Sequence, residues 1–378
     1  MEYTGWERDF PISKYLTAKA ARSKIPLHGT FELTARCNFN CKMCYIHDIN
    51  SMKELKEREL PVSWWLRVAE EAKKEGLLFL LLTGGEAMIR EDFRELYQGL
   101  AQMGFRLVLN TNGSLIDEKI LDVFRKYPPG RINVSMYGAS EETYKRLCGR
   151  EVKERVTQAI SNLRKIGLSV RTTMTATPYN CHDMEEVYEF SKQENTLFET
   201  TSYIFPPSRR ENKEQREEVI RFTAEEAGKY MVQRGKVILS PSDFRKKAVK
   251  VVASCVEDRI KAEESLEKDV GTKISCRAGN SSFWITWDGK MRPCGLMTTP
   301  ESDVAKEGFS QAWKQIYRYA DEIRLPVECK YCDKKMLCRV CAAMCQTETG
   351  SFDKKPEYVC RMAEAMLEEY RKEAGREE

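Results

Sequence analysis

Cys37-Asn38-Phe39-Asn40-Cys41-Lys42-Met43-Cys44 constrains this chain more than any other stretch. Its three cysteines are spaced C-x3-C-x2-C and follow an apolar run, Phe31–Ala35, that reads as a short strand. A tight loop of this kind can aim three thiolates at one inorganic centre. Three thiolates leave one iron of a [4Fe–4S] cube without a protein ligand, open to chelation by a small molecule. A structural zinc site would want four ligands and usually pairs one C-x2-C with another.

The rest of the composition narrows the chemistry. Fourteen cysteines without an apolar N-terminal signal favour a reducing cytoplasm and metal ligation over disulfides. His28, His47 and His182 are the three histidines, so imidazole sites and triads are disfavoured, and His47 reads as a solvated loop residue. No window approaches a membrane span. A net charge of +4 gives no reason to expect a nucleic-acid partner.

At this loop the sequence resembles the radical S-adenosylmethionine (SAM) enzymes, whose signature is the same spacing. Met43 stands where an aromatic residue is commoner. The chain alternates strand-like and helical runs from Phe31 onward. Strands are expected at Phe31–Ala35, Leu77–Leu82, Arg106–Asn110, Arg131–Met136, Leu168–Thr175 and Leu197–Ile204. Helices are expected near Tyr15–Ser23, Val62–Lys74, Glu91–Met103, Asp117–Lys126, Lys153–Ile166 and Met184–Lys192. This alternation implies parallel βα units in an open partial barrel, with ligands at the carboxyl ends of the strands. The resemblance implies the same α/β class, a (βα)6 partial TIM barrel.

Leu80-Leu81-Leu82-Thr83-Gly84-Gly85-Glu86 places a glycine pair and a carboxylate at a strand end. Glycines let a ligand approach the backbone, and Glu86 could accept hydrogen bonds from an ammonium group. The resemblance makes Gly84, Gly85 and Glu86 the motif for the SAM amino group. It also places Ser135 at the ribose or methionine end and Arg171 near the carboxylate. Arg171 reads equally well as one half of an ion pair, and Asn110-Thr111-Asn112-Gly113 as a polar turn.

Cysteines return after Lys273. Cys276, Gly289 and Cys294 form C-x12-G-x4-C, with alternating apolar residues around Asp288-Gly289 that read as a β-hairpin. Then come Cys329-x2-Cys332-x5-Cys338-x2-Cys341-x3-Cys345, and finally Cys360. C-x2-C pairs alone could make a zinc ribbon. Together the segments resemble the SPASM extension of radical SAM enzymes, a cysteine-rich C-terminal domain holding two auxiliary [4Fe–4S] clusters. The usual x3 before the fourth of these cysteines is here x2, with Cys345 extra. The resemblance assigns Cys329, Cys332, Cys338 and Cys360 to a distal cluster, and Cys276, Cys294 and Cys341 to a nearer one. Ser282 occupies the place where some relatives supply a fourth ligand. The nearer cluster is therefore completed by Cys345 or Cys255, or keeps an open iron. Cys148 and Cys181 read as small buried residues.

The expected organisation is a lead-in over 1–30, the barrel over 31–205, a charged linker with bridging helices over 206–272, the cysteine-rich domain over 273–362, and a helix end and tail over 363–378. Pro206 to Glu218 reads as a solvated linker, followed by a helix near Thr223–Val232. Residues 240–275 read as partly helical without a motif, and Glu357–Glu373 as a helix. The lead-in is too short for the separate peptide-binding domain of many relatives. By resemblance, the chain cleaves SAM to a 5′-deoxyadenosyl radical and oxidises a substrate, with a flavodoxin or ferredoxin as reductant. A peptide is the first expectation, modified by a thioether or carbon–carbon cross-link and brought by a separate recognition protein if one is needed. A tetrapyrrole or other small molecule, or a sulfatase-type protein target, are the alternatives. Gly295 stands where sulfatase-maturing relatives carry an aspartate base. An iron–sulfur electron carrier is the non-enzymatic alternative.

Overall fold

The computed structural model describes residues 11–46, 52–207, 209, 220–264 and 271–375. His47, the charged start Met1–Asp9, most of the charged linker and the last three residues lie outside the described residues.

One nine-stranded sheet, in the order β6-β5-β4-β3-β2-β1-β7-β8-β9, organises the molecule. Its first six strands are β1 (His28–Glu32), β2 (Phe79–Thr83), β3 (Arg106–Thr111), β4 (Arg131–Ser135), β5 (Val170–Thr175) and β6 (Leu197–Thr201). Each pairs in parallel with its neighbour. A helix α1 (Pro11–Ser23) precedes β1, and α2 (Met52–Glu57) and α3 (Val62–Lys74) follow it. The later crossovers are α4 (Phe93–Gln102), α5 (Glu118–Lys126), α6 (Glu141–Cys148) with α7 (Lys153–Lys165), and α8 (Met184–Gln193). Local chemistry sets these helices. Asp117 caps α5 by accepting from the Ile120 amide at 2.9 Å, and Ile120, Leu121, Val123 and Phe124 are its buried face.

Two expected boundaries move for physical reasons. β1 begins earlier than the apolar run and stops at Glu32, because the chain beyond it serves another purpose. The Thr34 carbonyl accepts from the Gly85 amide at 2.8 Å and the Arg36 carbonyl from the Glu86 amide at 2.9 Å. β6 ends at Thr201 instead of Ile204. Helices α2 and α6 were not expected. The signals for α6 were its caps, the Ser140 side chain accepting from Thr143 and Gly149 in the left-handed region (φ 71°).

Beyond the barrel, α9 (Ala224–Ile238) and α10 (Pro241–Glu264) both pack on the last helix, α16 (Glu357–Ala374). A Cβ at Gly228 would lie 2.4 Å from the Met362 carbonyl, so glycine permits the close crossing of α9 and α16. The expected hairpin is present as β7 (Ser282–Ile285) and β8 (Lys290–Arg292), with Gly289 at φ 83° in its turn and β9 (Ser302–Asp303) beside it. It is not a separate layer. β7 pairs in parallel with β1, Phe31 opposite Ile285, and so extends the barrel sheet. Next come α11 (Val304–Glu307), α12 (Phe309–Glu322), α13 (Val327–Lys330), α14 (Lys335–Cys338) and α15 (Ala342–Thr349). Among the described residues no helix is long and apolar enough to cross a membrane.

Phe283 of β7 joins the two halves. It is 2% exposed, with ring centroids 6.4 Å from Phe31, 5.0 Å from Phe309 and 6.3 Å from Trp313. Phe283→Ala is expected to cost about 3–5 kcal/mol of stability by lost transfer energy and an unfilled cavity. Chemical denaturation should show the loss as an earlier midpoint.

Candidate functional site

A cavity of about 520 Å³ opens at the carboxyl ends of the parallel strands, and Cys37, Cys41 and Cys44 line one side of it. Their loop is held from several directions. The Asn40 amide donates to the Cys148 carbonyl and the Lys42 amide to the Leu147 carbonyl, each at 3.0 Å. Arg150 Nε donates to the Asn38 carbonyl at 2.9 Å. Asn112 Nδ2 reaches Asn38 Oδ1 at 2.9 Å and the Cys37 sulfur at 3.9 Å. The stretch Asn110–Gly113 is thus more than a polar turn. Cys148 is fully buried, as expected, but its thiol is also hydrogen-bonded to that of Cys41. Nothing in the sequence spacing points to that contact.

That bond and burial push the Cys41 thiol up, and burial does the same to Cys37. Without a metal these thiols stay protonated at neutral pH, so metal uptake must release protons.

Gly84 and Gly85 line the cavity beside the loop. A Cβ at Gly84 would lie 2.6 Å from the Thr34 carbonyl oxygen, and one at Gly85 would lie 2.3 Å from that of Arg36. The pair therefore lets the turn after β2 press against the strand that leads to Cys37. Glu86 corrects one expectation. Its carboxylate does not line the cavity but is fully buried behind it. One oxygen accepts from the Asn112 amide at 2.7 Å and Thr111 Oγ1 at 2.9 Å, and the other from the Met88 amide at 3.2 Å. Burial raises its pKa. Glu86 thus ties the end of β3 to the glycine turn.

Ser135 and Arg171 both face the cavity. The Ser135 hydroxyl is hydrogen-bonded to Tyr137, and Arg171 Nη1 meets Glu199 Oε2 at 2.8 Å. Arg171 thus forms the expected ion pair while also lining the cavity. Asn133 donates to Asn110 Oδ1 at 2.7 Å, while its own Oδ1 is buried without a partner among the described residues. Asn133 also lines the large cavity.

The later cysteines fall into two groups. Cys329, Cys332, Cys338 and Cys360 ring a second cavity of about 260 Å³, with Lys334, Lys335 and Lys355. Cys294 is an electrostatic neighbour of Cys341 and Cys276, and burial pushes its thiol up to about 11. Cys345, wholly buried on α15, senses Cys341 and also Cys329, Cys338 and Cys360. Cys255 sits instead beside Asp333 and Asp258. Cys181 is half-buried, near Asp183. Among the described residues no three Cys, His, Asp or Glu side chains converge on the position of a single ion. The donors in both groups are all sulfur, and those of the first stand around a cavity, a set that fits iron–sulfur clusters. Leu296, two residues after Cys294, lines the large cavity with Cys37 and Cys44.

Residues 31–191 match the model of the radical SAM superfamily. The chain is 25% identical over 349 residues to an AdoMet-dependent heme synthase of Methanosarcina barkeri (strain Fusaro / DSM 804), covering 89% of this chain and 97% of that protein. It is 32% identical over 167 residues to a probable GTP 3′,8-cyclase of Saccharolobus islandicus (strain M.14.25 / Kamchatka #1), covering 44% of this chain and about half, 52%, of the cyclase. Among solved structures, SuiB of Streptococcus suis bound to S-adenosylmethionine shares the fold, with a TM-score of 0.62 at 15% identity over 92% of this chain and 81% of SuiB. So does anSMEcpe with AdoMet and the Cp18Cys peptide, with a TM-score of 0.63 at 18% identity over 91% of this chain and 96% of anSMEcpe. Residues 31–191 are thus a radical SAM domain, the domain of an enzyme superfamily, and a cysteine-rich region follows it.

Proposed function

We propose that this enzyme cleaves SAM reductively at the mouth of the partial barrel and oxidises a peptide there. One observation carries the reading. A single cavity is bounded by the three-thiol loop, the glycine pair and the chain just after Cys294. Cys37, Cys41 and Cys44 would hold a [4Fe–4S] cluster. When bound, that cluster and SAM supply a 5′-deoxyadenosyl radical by one-electron cleavage.

The chain's own residues do the rest. Gly84 and Gly85, which line the cavity, would offer their backbone to SAM. Glu86 holds that turn in register with Asn112, which in turn braces the cysteine loop. Ser135, Arg171 and the open acceptor of Asn133 face the polar groups of the ligand. Cys329, Cys332, Cys338 and Cys360 would hold one auxiliary cluster. Cys276, Cys294 and Cys341 would hold the other, with Cys345 nearer to this group than Cys255. Leu296, two residues after Cys294, lines the cavity, so the latter set would be near enough to accept the electron that an oxidised substrate gives up. An external flavodoxin or ferredoxin would supply the first electron.

A peptide substrate is supported by two proteins of the same fold. SuiB has been solved with its precursor peptide SuiA, and anSMEcpe with the Kp18Cys peptide. A sulfatase-type base has no room here, since a Cβ at Gly295 would lie 2.4 Å from the Trp284 ring. A tetrapyrrole is the second reading, favoured because the heme synthase aligns over 97% of its own length.

After anaerobic loading with iron and sulfide, the dithionite-reduced protein is expected to convert SAM to 5′-deoxyadenosine and methionine, read by liquid chromatography. Cys44→Ala should abolish the product. Gly85→Ala, which drives a methyl into the Arg36 carbonyl, should lower it at least about tenfold, or about 1.4 kcal/mol. Absence of 5′-deoxyadenosine from the iron-loaded wild type would overturn the reading.

A further inference from the structure

A buried ion pair outside this chemistry links the two cysteine groups. Glu32, the last residue of β1, is fully buried. Arg209 grips both of its oxygens, at 2.7 and 2.6 Å, and Trp284 Nε1 donates to it at 3.0 Å. The expectation of a solvated linker fails at this residue: the Arg209 side chain is 9% exposed.

Arg209 makes two further contacts. Its Nη1 donates to the Gly295 carbonyl at 3.3 Å, the residue after Cys294. Its guanidinium carbon lies 6.0 Å from the ring centre of Tyr45, the residue after Cys44. Tyr45 is an electrostatic neighbour of Glu32, Arg209, Cys44 and Cys294 together, and it lines the large cavity. One buried cation therefore touches the chain immediately after a cysteine of each group. Gly295 is also held from behind, because the Trp284 ring leaves no space for a Cβ.

Burying two charges is a poor way to stabilise a fold, since apolar residues of the same volume often serve as well or better. A paired charge with directional bonds to three separate segments is, however, an effective register. We propose that Arg209 is a positioning residue whose fork to Glu32 fixes the separation between Cys44 and Cys294, with Tyr45 filling the gap. The functional meaning of that gap rests on the reading above, in which each side holds a cluster. The geometry itself does not.

The test uses the reduced, metal-free full chain, so failure of SAM cleavage would not affect it. A short bis-maleimide is added, and cross-linked peptides are mapped by mass spectrometry. The wild type is expected to yield a Cys44–Cys294 link. Glu32→Leu/Arg209→Leu, which removes both charges and keeps the volume, should give several-fold less of it, and a longer reagent should restore the yield. A purely structural role would not produce that dependence on reagent length. If the double variant does not fold, Arg209→Lys takes its place, since it keeps the cation but loses the fork. A smaller fall in yield is then expected. An unchanged yield in the folded variant, or no Cys44–Cys294 link in the wild type, would overturn the proposal.

Discussion

Strand β1 is hydrogen-bonded on both edges, to β2 of the barrel and to β7 of the C-terminal region, and the arrangement of the molecule follows from that double pairing. Parallel pairing on both sides sends β1, β2 and β7 toward the same rim. The three-cysteine loop leaves β1 there, the glycine pair leaves β2, and the chain after the β7 hairpin brings Leu296 to the same cavity. The aromatic contacts of Phe283 with Phe31, Phe309 and Trp313 hold this junction by apolar burial. Glu32, Arg209 and Trp284 add directional bonds at its end. The barrel and the hairpin of the cysteine-rich region therefore share one sheet.

Polar bonds then set detail that apolar burial cannot. Glu86 spends both carboxylate oxygens on the end of β3 and the turn after β2. Asn112 passes that order to Asn38 and Cys37. The chemistry-bearing loop is thereby fixed by hydrogen bonds within the protein, an arrangement that pre-organises a site before its cofactors arrive.

Features with local causes were legible in the sequence. The βα alternation showed in β2 to β6 and their helices because each amphipathic or apolar run is continuous. The cysteine spacings and the Asp288-Gly289 hairpin are equally local. What escaped the sequence is set by contacts between distant segments. The pairing of β7 with β1, the thiol contact of Cys148 with Cys41 and the burial of Arg209 against Glu32 join residues with no shared local pattern. The same cause explains why β1 was placed too late. Leu33 and Thr34 continue the run that reads as strand, yet the Thr34 carbonyl, like that of Arg36, bonds to the glycine turn. It also explains Glu86, whose residue type suggested a ligand contact while its partners turned it toward the protein.

The central claim is that the cysteines form three groups of sulfur ligands, each holding one iron–sulfur cluster. Iron and sulfide should be counted after anaerobic reconstitution, beside a Cys37→Ala/Cys41→Ala/Cys44→Ala variant. Roughly twelve irons per chain, falling to about eight in the variant, is the predicted result for three four-iron clusters. About four irons together with bound zinc would contradict it, leaving a radical SAM domain followed by a zinc-stapled region.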